Sequence, residues 1–99
     1  MCEFIATYQF QATVPMEEVE ASLVLAKMGT ESLHGTCGLL LDVKSELIEK
    51  KKQVRIRGTA TIGSTLNRLF LGFLRREFDP SEYTVTTMEV ARPKSFNGN

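Results

Sequence analysis

The 99-residue sequence predicts a single small α+β domain. Three observations carry that reading. The N-terminal segment alternates with the period of a half-buried strand, residues 62–74 carry a strong helical repeat, and two β-rich runs between them flank a short charged turn. A chain of this length buries roughly 60 to 70% of its unfolded surface, enough for one core. A hydrophobic fraction of 42% and a charged fraction of 24% disfavour disordered and fibrous classes.

Phe4, Ala6, Tyr8, Phe10 and Ala12 alternate with Ile5, Thr7, Gln9 and Gln11, which predicts a strand from Phe4 to Ala12. Pro15 suits a first helical turn, and Glu17, Glu18 and Glu20 place negative charge near the positive end of a helix dipole. The spacing predicts a helix from about Pro15 to Met28, stopped by Gly29, with Met16, Val19, Leu23 and Ala26 on its buried stripe. Thr30 to Gly38 reads as a loop. Leu39 to Ala60 reads as two strands joined by a hairpin whose tip is Glu49-Lys50-Lys51-Lys52. In the first of these strands Leu39, Leu41, Val43 and Leu47 share one face, and in the second Val54 and Ile56 alternate with Gln53, Arg55 and Arg57.

The clearest period is that of Ile62, Leu66, Leu69, Phe70, Phe73 and Leu74, which places six apolar side chains on one face of a helix ending near Phe78. Asp79-Pro80-Ser81 then turns the chain, because the residue before a proline avoids helical geometry. Tyr83 to Val90 has strand composition. The domain is read as residues 1–90, and 91–99, with Pro93 and Gly98, as a flexible tail.

The resulting β-α-β-β-α-β order, an antiparallel four-stranded sheet with two helices on one face, resembles the ferredoxin-like two-layer sandwich. Length and strand order are also similar to those of the acylphosphatases. That family's glycine-rich anion cradle has no counterpart in Gln11-Ala12-Thr13-Val14-Pro15-Met16, so the resemblance stops at size and topology.

Twelve basic and twelve acidic residues cancel, so no global field draws the chain to nucleic acid or anionic lipid. The longest apolar runs, such as Leu39-Leu40-Leu41, fall far short of a membrane span. Met1-Cys2-Glu3-Phe4 lacks the basic start and apolar run of a secretory leader, and two cysteines make no disulfide framework, so the expected setting is cytoplasmic.

No cofactor and no metal site is expected. His34 and Cys37, with Cys2, fall short of the four ligands of structural zinc, and no nucleophile, base and orienting group can be assembled. Gly63-Ser64-Thr65 opens the second helix, where Ser64 and Thr65 could join free N–H groups in holding an anion, or where Thr61, Ser64 or Thr65 could simply cap it. Lys44, Arg55 and Arg57 share the open sheet face and form the candidate polyanion site, without the aromatic platform of single-strand RNA readers.

The remaining positive signal is surplus apolar surface. Ala21, Val24, Leu25 and Met28 form a second stripe on the first helix, and Leu71 and Phe78 lie off the main stripe of the second. A two-layer domain needs one buried stripe per helix, so these six residues are the expected interface of a homo-oligomer, most simply a dimer, or of a protein partner. Nucleic-acid or polyanion binding ranks second, and a small enzyme with its site between subunits ranks last.

Overall fold

The computed structural model describes residues 2–35 and 43–91. Strand β1 (Cys2–Phe10) leads to helix α1 (Met16–His34), and β2 (Val43–Ile48) turns through a 3₁₀ segment (Glu49–Lys51) into β3 (Gln53–Thr59). Helix α2 (Ala60–Glu77), a second 3₁₀ turn (Pro80–Glu82) and β4 (Tyr83–Ala91) complete the chain. Every strand pairing is antiparallel and the sheet order is β2-β3-β1-β4. Cys37, Leu39, Leu41 and Asp42, to which parts of the loop and hairpin reading refer, lie outside the described residues, as does the tail beyond Ala91.

β1 runs down the centre of the sheet, and the expected alternation decides which face is covered. Phe4, Ala6, Tyr8 and Phe10 are buried together with Val54 and Ile56 of β3. Both helices lie over this face: Met16, Val19, Leu23 and Ala26 of α1 and Ile62, Leu66, Phe70 and Leu74 of α2 belong to the same core. Ala12 falls outside β1 and is exposed, because the chain has already turned there. Val14 from that turn is fully buried, and Lys52 fixes it by donating from Nζ to the Val14 carbonyl at 2.8 Å.

α1 does not stop at Gly29 but continues to His34 and ends at Gly35, whose φ of 85° and N–H to the Glu31 carbonyl at 2.7 Å make the actual C-terminal cap. Residues 30–34, expected in a loop, are therefore helical. Gly29 serves packing instead of termination: a Cβ there would lie 2.9 Å from Leu69 Cδ1 of α2, so the missing side chain lets the two helices approach.

α2 starts earlier than expected. β3 runs into it without a linker, Ala60 is helical, and the cap is Thr59, whose Oγ1 accepts the Ile62 N–H at 3.3 Å, and not Thr61, Ser64 or Thr65. At the other end Asp79 and Glu82 form a reciprocal capping box around Pro80.

One polar link joins the layers inside the core. The Tyr8 hydroxyl donates to the side-chain oxygen of buried Asn67, and the Tyr8 ring meets Phe70 edge-on at 4.8 Å between centroids. Burial pushes the Tyr8 phenol well above its ordinary value, with Tyr83 adding to the rise and Arg75 opposing it. Folded Tyr8 thus keeps its proton where the unfolded chain gives it up, so its contribution to stability is complete below about pH 10 and falls as pH rises above that. Tyr8→Phe should cost about 1–2 kcal/mol at neutral pH by orphaning Asn67. In urea titrations the wild type should lose stability above about pH 10 more steeply than this variant.

Candidate functional site

The strand register maps the open face of the sheet. In one row Lys44, Arg57, Ile5 and Met88 stand side by side, and in the next Glu46, Arg55, Thr7 and Thr86. Lys44, Arg55 and Arg57 do come together as expected, lining with Ser45 and Glu46 an open depression of about 470 Å³.

Their charges do not act alone. Arg57 donates from Nε to Glu3 Oε2 at 2.8 Å and from Nη2 to Oε1 at 3.4 Å. The hydrogen bond to Glu3, and then its charge, hold the guanidinium more firmly protonated than usual. Glu46 stands directly across from Arg55, within the reach of a cross-strand pair. Three cations and two carboxylates therefore share this patch, and phosphate contacts would have to compete with built-in partners.

Ser64 and Thr65 lie on the opposite side of the sheet from that patch, in the helical layer. Gly63 is buried against the sheet, where a Cβ would meet Phe4 at 3.4 Å, so its small size is explained by close packing. Thr65 Oγ1 donates to the Thr61 carbonyl at 3.0 Å and lies 3.0 Å from His34 Nε2. The Nε2–Oγ1 contact joins the two helices whichever group donates, a role set by the imidazole tautomer. No cluster of three or more His, Cys, Asp or Glu residues suited to a metal occurs among the described residues. The pair serves instead to pin the last turn of α1 to the first turns of α2.

Most of the surplus apolar surface lies on α1. Val24, Leu25 and Met28 are 47%, 52% and 59% exposed, and Ala21 beside them is also exposed. Of the expected members of the interface, one is not available and one is only partly exposed. Phe78 is buried in the core, because it is the residue after α2, with extended backbone that turns its ring inward, and Leu71 is half-buried against the core. Leu33, 69% exposed, is an addition that the reading of residues 30–38 as a loop concealed. Met88, 52% exposed on the open sheet face, is another, and its parity with Thr84 and Thr86 was the signal that marked it.

A groove of about 320 Å³ runs beside this strip, between the N-terminal half of α1 and the end of α2. Ala21, Leu25 and Phe73 contribute its apolar side chains, while Glu18, Arg76 and Glu77 contribute charge. No described helix is long and apolar enough to cross a membrane.

Compared with known proteins, the sequence matches no family profile and no curated relative.

The mixed charge of the sheet face predicts weak retention on heparin, and Arg55→Gln combined with Arg57→Gln should lower the eluting salt concentration little. A large drop would show that the two guanidinium groups act together on a polyanion despite Glu3 and Glu46.

Proposed function

We infer that the chain is a protein-interaction module that docks through the outer face of α1, as a homo-oligomer or with a protein partner. The observation that carries this is the second apolar stripe of α1. Val24, Leu25 and Met28 stand on the side of the helix away from Val19, Leu23 and Ala26, each about half exposed, and contribute nothing to the monomer's core. Contiguous exposed apolar surface of this kind marks interaction sites, whereas scattered exposed residues do not.

The antiparallel order β2-β3-β1-β4 supports reading the architecture as a ferredoxin-like two-layer sandwich, which leaves function open because such folds host many activities. We place the chain in the cytoplasm, a setting that two cysteines without a disulfide framework support.

Leu25→Glu puts a charge at the middle of the strip without touching the core. It should leave the thermal midpoint within a few degrees of wild type and weaken self-association, or binding of a stoichiometric partner, by at least about tenfold. Light scattering over a wide concentration range that finds only monomer, together with failure to recover any partner, would refute the reading.

A further inference from the structure

We propose that the occupant of the α1 strip is a second copy of the same helix, packed antiparallel about a two-fold axis passing between Val24 and Leu25. The proposal rests on the reading of this strip as an interaction surface and specifies its partner.

An isologous contact requires that one patch be complementary to itself. On α1 the strip consists of Ala21, Val24, Leu25 and Met28 with Ser32 at its end, all exposed. A two-fold between residues 24 and 25 sets small Ala21 against long Met28 of the second copy and brings Val24 and Leu25 of both copies to the centre, each beside its own counterpart. Met28 of each copy then faces a smaller side chain, and the two Met28 side chains do not collide.

Charge decides the direction. Glu20 and Lys27 are two turns apart on one flank of the strip, the flank away from α2, since the residues that face α2 across the groove are Glu18, Ser22 and Leu25. In an antiparallel pair this flank meets the same flank of the second copy. Lys27 then lies only about 3 Å along the axis from Glu20 of the other helix, in both symmetry-related positions. A parallel two-fold pair would instead turn this flank toward the opposite flank of the second copy, so Glu20 and Lys27 would find no partner in each other. The helix dipoles add to the same preference, because antiparallel packing brings opposite ends together.

The remaining acidic side chains limit the contact to its centre. Glu17 of one helix approaches Glu31 of the other near each end, so a crossing angle that separates the ends is favoured, as ridge-in-groove packing supplies. The net charge of zero removes any long-range repulsion between copies. A standard interface buries about 800 Å² on each partner, more than four side chains supply, so the contact must include Glu20 and Lys27 and be of modest affinity.

Sedimentation of the full chain from about 1 to 500 µM tests this, with circular dichroism as a check on folding. The expected result is a reversible monomer–dimer equilibrium that Leu25→Glu abolishes. Glu20→Lys and Lys27→Glu should each weaken the dimer at least about threefold, and the double replacement Glu20→Lys with Lys27→Glu should restore it to within about twofold of wild type. A dimer lost with Leu25→Glu but showing no restoration in the double variant overturns the antiparallel register and leaves the strip as an interface. A wild-type chain that stays monomeric throughout overturns the second copy as occupant. A dimer that survives Leu25→Glu overturns both this proposal and the strip itself as the interface.

Discussion

The burial of one face of β1 is the constraint to which the other elements are fitted. β1 is hydrogen-bonded along both edges, to β3 and β4, and Phe4, Ala6, Tyr8 and Phe10 must all be kept from water on the same side. A one-residue slip against either neighbour would move these four side chains to the open face and bring Glu3, Thr7 and Gln9 inside, which no local adjustment could offset. The helices answer this requirement. Their inner stripes cover the four side chains, and the buried Tyr8–Asn67 hydrogen bond fixes where α2 sits along β1, since any shift would strand a polar group on each side. This polar pairing and the apolar packing around it together allow a core this small to specify a single arrangement.

Where residues carry their own period, the fold was legible in the sequence. β1 and the apolar face of α2 declare themselves because the strand repeat of two and the helix repeat of about 3.6 are local properties. The errors fall where a residue's role is decided by a partner distant in sequence. Gly29 has the chemistry of a helix stop, yet Leu69, forty positions away, makes its lack of a side chain a packing feature within the helix. Thr59 looked like strand because the strand does extend through it, and only the turn of the next residues shows that its hydroxyl is the cap. Phe78 is apolar and off the helical stripe, but the helical wheel does not apply to it, because its backbone is extended.

The candidate surfaces divide in the same way. That α1 is apolar on two sides could be read directly, and the strip of Ala21, Val24, Leu25 and Met28 is exposed as expected. That Arg55 and Arg57 share a face with Lys44 could also be read. What could not be read was the negative charge beside them, because the pairing of Arg57 with Glu3 and the placement of Glu46 opposite Arg55 depend on strand order and register. A basic triplet in sequence became a mixed-charge patch in space, and the balance between the two functional readings shifted toward the helix.

The outer strip of α1 also bears on folding. A helix with apolar residues on two opposed sides could in principle turn either of them toward the sheet, whereas α2, with one stripe, has no such choice. Shape resolves the ambiguity: Val19, Leu23 and Ala26, with Thr30 bonded back to the Ala26 carbonyl at 2.8 Å and Gly29 against Leu69, fit the space beside α2. The alternative orientation would bring Glu17, which lies between Val24 and Met28 around the helix, toward the core and expose Val19 and Leu23. The inner face thus wins by a margin that depends on small residues, and polar residues on the outer strip would widen it. A strip that narrows this margin and adds nothing to the monomer's core is stabilising only when something covers it, and covering it with its own copy removes the same surface that makes the helix ambiguous.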